Sequence, residues 1–341
     1  MQQPVARYEC DTRSLPAGYF SWPDGIRHVL YTLLDGFDLG TGLLMAGKPE
    51  QHRDKMIASI GPFWDANETW LVLGVGVMLV AFPVAHGVIL GKLYIPVTLM
   101  LVGLILRGVS FDFRAKAKAK QKNLWDHCFV AGSLLATLTQ GYMLGIYITG
   151  FSQTIPATLF AILSALCVTS AYMLMGASWL ILKTTGDLQK SAIRSARSSL
   201  LATALGLLVV SIVNPLVSPE LFDKWLSVPQ LFLLAPLPIA TAALLTGLYR
   251  VLNQYTENPD TSELLPLLMT TGVFILAFAG LAYSFYPMIV PGQLTVWEAA
   301  ASPQALRVIL WGCVITLPAI LCYTVLSYYL FRGKTTELTY T

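Results

Sequence analysis

Several segments of the sequence set charged side chains inside otherwise apolar runs. Residues 34–42 read L-D-G-F-D-L-G-T-G, so Asp35 and Asp38 lie three apart and share one helix face. Gly36 and Gly40 in the same run form a small-xxx-small pair that lets two helix backbones approach closely. Residues 61–71 read G-P-F-W-D-A-N-E-T-W-L. Asp65 and Glu68 are again three apart, with Asn67 between them and Trp64 and Trp70 on either side. A carboxyl within a membrane segment is costly and is kept where it faces protein or water. Partial burial also suits such a group to proton transfer near working pH. A purely structural role competes with proton transfer. Asp35 and Asp38 could serve helix packing and capping, and an acid in a first helical turn complements the helix dipole.

Three more places carry charge. In R-G-V-S-F-D-F-R (107–114), Asp112 lies between Arg107 and Arg114, as a plain ion pair or as part of a proton inlet. Trp125 and Asp126 open an apolar run, where Asp is expected in a capping role. Trp297 and Glu298 fall in a connection, where an interfacial Trp is an ordinary membrane anchor.

The elements that position these residues follow from composition. Of 341 residues, 55% are hydrophobic and only 12% charged, about half the charge of a soluble domain. The mean hydropathy of +0.63 excludes a disordered chain as well as a water-soluble globule. About 20 mainly apolar residues cross a bilayer. The sequence offers nine such stretches, near 26–46, 64–82, 88–106, 125–149, 156–182, 199–217, 230–249, 266–289 and 305–331. The expected fold is therefore all-α, a single polytopic membrane domain over 26–331 with about nine transmembrane helices. Before it lies an atypical polar leader, 1–25, and after it a cytosolic tail, 332–341.

Sixteen of the 22 Lys and Arg fall in segments 48–55, 107–122, 183–197, 250 and 332–334. By the positive-inside rule these face the cytosol, which sets the N-terminus outside and the C-terminus inside. The Lys/Ala stretch 115–122 reads as a solvated, orientation-setting loop. The net charge of +3 records this clustering and does not point to nucleic acid. The first span is the weak one: Asp24, Arg27 and His28 stand where apolar residues belong, as a polar lead-in or as an altered start.

Other chemistry finds little support. His28, His52, His86 and His127 never share a helix at ligand spacing, so this chain is not expected to hold a haem of its own. The five cysteines form no Cys-x-x-Cys, and no phosphate-binding loop or hydrolytic triad is present. A secondary transporter is the alternative class that places acids in spans. Transporters commonly carry internal repeats with broken helices, and here the first four spans do not repeat in the next four.

Taken together, D-G-F-D-L-G-T-G (35–42), G-P-F-W-D-A-N-E-T-W-L-V-L-G (61–74), A-F-P (81–83), L-I-L-R-G-V-S-F-D-F-R (104–114), W-D (125–126) and L-T-V-W-E-A-A (294–300) resemble subunit II of cytochrome bd-type quinol oxidases. The N-E-T-W-L-V-L-G and R-G-V-S-F-D-F-R forms are closer to the cyanide-insensitive branch. The resemblance runs from about Leu34 to the C-terminus, and residues 1–29 depart from it. It implies a nine-helix, multi-pass subunit of the bacterial inner membrane, without redox centres. A haem-bearing subunit I would carry haem b and haem d and would oxidise quinol while oxygen is reduced to water. It also implies cytosolic proton delivery, with Asp65 and Asp112 at the family's acidic positions and Asp38 and Glu68 as further candidates. Asp35, Gly36, Gly40, Trp64, Asn67, Trp70, Arg107, Arg114 and Trp125 complete the motifs. Some members hold a structural quinone in subunit II, and a small accessory subunit is a further candidate partner.

Overall fold

Within lipid, a backbone that cannot reach water satisfies its amides by forming helices. The computed structural model describes residues 18–217, 225, 227–228, 230–255 and 262–335. It is all-α apart from one small hairpin. In chain order its elements are α1 (Gly18–Leu44), α2 (Glu50–Ile60), α3 (Trp64–Ala81), α4 (Pro83–Lys116), α5 (Ala119–Ile148), α6 (Ile155–Lys183), α7 (Gly186–Val217), α8 (Gln230–Leu234), α9 (Pro236–Gln254) and α10 (Leu265–Phe285). There follow β1 (Met288–Val290), β2 (Leu294–Thr295), α11 (Val296–Ala299) and α12 (Pro303–Leu330). Among the described residues, all helices except α2, α8 and α11 have eighteen residues or more. Six of these long helices, α4–α7, α10 and α12, are apolar enough to cross a membrane by length and composition. Of the polar leader, residues 1–17 lie outside the described residues, and 18–25 already belong to the backbone of α1.

The helices differ from the sequence reading in three places. The Lys/Ala stretch is not a loop: α4 runs to Lys116 and α5 begins at Ala119, leaving only Ala117 and Lys118 between them. Ala, Lys and Gln are good helix formers, and their charge does not prevent a helix. The segment after Lys48 is also helical. In α2 the residues Met56–Ile60 are buried, so this inner connection packs under the bundle. The apolar run 230–249 is divided at Ala235, because Pro236 and Pro238 cannot donate the backbone bonds a continuous helix needs.

Helix α1 is central and packs on α3, α5, α6 and α10. Its contact with α6 rests on glycine. A Cβ on Gly40 would lie 1.8 Å from the Tyr172 carbonyl oxygen, and one on Gly176 would lie 2.3 Å from the Gly40 carbonyl carbon. The small-xxx-small reading therefore finds its partner in α6, and the ring of Tyr172 lies where a Gly36 side chain would be. The end of the bundle holding the α1–α3, α4–α5 and α6–α7 connections is called here the near end. At the opposite end β1 pairs antiparallel with β2, and Val290, Val296 and Ala299 are buried with Phe82 and Leu306. There Thr295 and Glu298 form a capping box on α11. The Thr295 amide and hydroxyl donate to the Glu298 carboxylate and hold it below the ordinary glutamate value. Trp297 is exposed and edge-on to Tyr286.

Gly40→Ala should lower the thermal stability of the detergent-purified protein by about 1–3 kcal/mol, since its Cβ meets backbone that cannot rotate away. Gly91→Ala, with open space around its position, should stay within about 1 kcal/mol of the parent.

Candidate functional site

The charged residues of α1, α3 and α4 converge on one guanidinium. Arg107 is fully buried, although its sequence position looked like part of the cytosolic charge cluster. Its Nη1 lies 3.0 Å from Asp35 Oδ1 and 2.8 Å from Glu68 Oε1, and its Nη2 lies 3.7 Å from Asp38 Oδ2. The shared face expected for Asp35 and Asp38 is thus the face that meets α4. Asn67 ties α3 to α1 by donating from Nδ2 to Asp38 Oδ2 at 2.8 Å and to the Leu34 carbonyl at 3.2 Å. Its own carbonyl accepts from the Tyr328 hydroxyl of α12 at 3.3 Å.

Close packing gives Arg107 its place. A Cβ on Gly132 of α5 would meet the Arg107 amide nitrogen at 2.9 Å, and a Cβ on Gly103 would meet the Gly132 carbonyl oxygen at 2.8 Å. Paired glycines therefore bring α4 and α5 together at this level, and Phe129 covers the guanidinium at 5.8 Å. The cluster lies toward the near end. Arg107 is nine residues before the last residue of α4, roughly 14 Å along the helix, and Glu68 is one turn into α3.

Burial and charge set the chemistry available. Asp35, Asp38, Asn67 and Arg107 are all buried, whereas the Glu68 side chain keeps 27% of its exposure. Three carboxylates face one guanidinium. Asp35 Oδ2, Asp38 Oδ1 and Arg107 Nε are buried without a hydrogen-bond partner among the described residues. Such a site has free carboxylate valence beside a fixed cation, with one member open to the outside. Among the described residues no three His, Cys, Asp or Glu are grouped to hold a metal ion.

The other expected residues lie nearby but outside this cluster. Asp65 is exposed in the first turn of α3, and Asp112 is exposed near the end of α4. Trp70 is buried, and Trp64 packs on Phe111 with ring centroids 5.0 Å apart. Arg114 does not pair with Asp112. Its Nε donates to Asp126 Oδ1 at 2.5 Å and its Nη2 to Asp54 Oδ1 at 2.7 Å. Asp126 is accordingly not a cap. Because α5 starts seven residues before it, Asp126 is an interior, buried ion partner that also meets Arg53 at 3.2 Å. Trp125 is half-buried beside Phe113.

A third polar centre closes the near end. Lys183, buried at the end of α6, donates to the carbonyls of Phe331 and Gly333 and lies over the rings of Phe63 and Trp179. Lys334 binds Glu263 at 2.5 Å and the Thr184 carbonyl at 2.9 Å. The beginning of the tail is thus strapped onto α6, and residues 336–341 lie outside the described residues. Sequence reasoning missed Asp126, Lys183, Gly132 and Gly176 as structural partners. For Lys183 the only signal was a cation at the end of an apolar run.

Removing the cation while leaving the acids is the severe change here. Arg107→Leu should destabilise the protein by about 3–5 kcal/mol, read as lost thermal stability or failed membrane assembly.

Comparison with known proteins gives one consistent result. The family model described as cytochrome bd terminal oxidase subunit II matches residues 25–331. The chain is 26% identical to cytochrome bd-I ubiquinol oxidase subunit 2 of Escherichia coli (strain K12), over 92% of this chain and 93% of that protein. It is also 26% identical to cytochrome bd ubiquinol oxidase subunit 2 of Bacillus subtilis (strain 168), over 89% of this chain and 92% of that one. Among solved structures, a chain of the bd oxidase from Geobacillus thermodenitrificans has the same fold, with a TM-score of 0.68 and 17% identity over 90% of this chain and 96% of that chain.

Proposed function

Because the chain belongs to the cytochrome bd terminal oxidase subunit II family, we propose that its buried Arg107 cluster takes up and holds protons for a haem-bearing partner. The chain is a subunit of a bd-type quinol oxidase, an oxidoreductase complex of the bacterial inner membrane. The family implies a partner subunit I and places the haems there. In this reading haems b and d of subunit I pass electrons from quinol to oxygen, and forming water consumes protons. This chain's own residues bind, store and release those protons.

The observation that carries the proposal is the meeting of Asp35, Asp38 and Glu68 on Arg107. Ionising all three acids around one guanidinium leaves an excess of buried negative charge, which costs several kcal/mol per uncompensated ion. Binding a proton relieves that excess, and releasing it restores the demand. Glu68 is the exchange point because only its side chain is partly open. Asp65, one turn earlier on α3, and Asp112 on α4 are exposed acids that collect protons on the same side.

Nine crossings, with the N-terminus outside and the near end facing the cytosol, fit this direction of uptake. The long helices among the described residues and the clustered Lys and Arg support that arrangement. Arg107, Arg114 and Lys183 are buried partners and drop out of the charge count, yet the balance stays on the same side. A structural quinone and a small accessory subunit belong to the same proposal as further partners. The R-G-V-S-F-D-F-R form favours the cyanide-insensitive branch, and oxygen uptake in the presence of cyanide checks that assignment.

Asp65→Asn, Glu68→Gln and Asp38→Asn, each in the assembled oxidase in membranes, should slow quinol-driven oxygen consumption roughly 10-fold or more while the haem difference spectrum is kept. Full activity in all three variants would falsify the proton role and leave a scaffold.

A further inference from the structure

A hydrogen-bond chain reaches the Arg107 cluster from the side away from Glu68. Tyr172 of α6 donates its hydroxyl to Gln140 Oε1 of α5 at 2.7 Å. Gln140 Nε2 donates to the Tyr31 hydroxyl of α1 at 2.9 Å. Tyr31 faces Asp35, one turn further along α1. Tyr31 and Tyr172 are both buried. The ring of Tyr172 is held in the slot left by Gly36 and is stacked on Phe274 of α10.

The donors in this chain all point the same way. With Gln140 Nε2 donating to Tyr31, the Tyr31 oxygen is occupied as an acceptor and its O–H is free to donate. The acceptor one turn along α1 is Asp35, whose buried Oδ2 has no hydrogen-bond partner among the described residues while Oδ1 receives Arg107. Turning the amide over would make Tyr31 donate to Gln140 and present its lone pairs to the carboxylate. Asp35 therefore selects the amide orientation, and the amide in turn orients Tyr31. A carboxamide differs from a hydroxyl or a carboxyl in one further respect. It has no readily transferable proton, so a hydrogen-bond chain that must pass through it does not carry protons onward.

We propose that Gln140, acting through Tyr31 and Tyr172, is a positioning residue for the Asp35–Arg107 pair, and that its amide closes the proton-exchanging cluster on this side. Exchange is thereby confined to the Glu68 side. The inference rests on the proton-holding reading of the cluster and adds a boundary to it. The ionisable groups facing Asp35 are Asp38 and Tyr31 on α1, Glu68 on α3, Arg107 on α4, Tyr172 on α6 and Tyr328 on α12. From α5, Gln140 meets Tyr31 and Tyr172.

The test uses the assembled oxidase in membranes, with the haem spectrum as a measure of assembly and quinol-driven oxygen consumption followed from pH 5 to 9. Gln140→Met and Tyr31→Phe should each lower the rate several-fold and displace the pH profile by about 1 unit, both in the same direction, because the second removes the hydroxyl beside Asp35 and the first removes the amide that orients it. Tyr172→Phe, which keeps the ring and deletes only the hydroxyl, should give a smaller displacement of the same sign. If Gln140→Met does not assemble, Tyr31→Phe and Tyr172→Phe decide the matter. Wild-type pH profiles in the assembled variants, alongside slow Glu68→Gln and Asp38→Asn enzymes, would overturn this inference alone. Full activity in the Glu68 and Asp38 variants would instead remove the proton-holding reading beneath it.

Discussion

A guanidinium buried at membrane depth must be surrounded by anions, and Arg107 imposes that requirement on the rest of the bundle. Its carboxylates come from two other helices, so α1, α3 and α4 are held at the distances of charge-assisted hydrogen bonds. The arrangement costs desolvation that apolar residues would not incur. The charge imbalance is something leucines could not provide, and in the proposed function proton exchange is the operation that such an excess of carboxylates supports.

The glycines make such short distances reachable. Gly40 against Gly176 and Gly103 against Gly132 bring α1 onto α6 and α4 onto α5, leaving the space between the pairs for Tyr172 and the Arg107 stem. The polar groups that fill this space are tied to one another, from Asn67 across to Tyr328 and from Gln140 to the two tyrosines. Hydrogen bonding thus ties together α1, α3, α4, α5, α6 and α12 around the Arg107 cluster.

How much of this was legible in the sequence depended on the range of the interaction. The helices were readable from hydropathy, and Asp35, Asp38, Asn67 and Glu68 stood out because a charged or amide group interrupts an apolar run. That family of motifs also separates an oxidase subunit from a transporter, as the matches over most of the chain confirm. What sequence could not supply was pairing between distant segments. Arg107 looked like an orientation charge, since nothing local says that its partners lie 39 and 72 residues away. Asp126 looked like a cap because the Lys-rich stretch before it looked like a loop, and correcting the helix start changed the role of the acid. Gln140 gave no signal, because one amide among Thr, Leu and Gly residues is inconspicuous until two tyrosines from other helices bracket it.

The last helix can be considered as a beam. Near its start Leu306 is buried in the far-end core, and near its finish Tyr328 meets Asn67 while the chain beyond it is fastened to Lys183 and Glu263. Between these supports Trp311, Val314, Ile315, Val325 and Leu326 point outward, and Pro318 removes a backbone bond near the middle of the helix. A beam held at both ends and weakened at midspan takes its curvature from what presses on it. Side loads on α12 from its neighbours in the membrane would thus pass to its inner support, the same asparagine that grips Asp38.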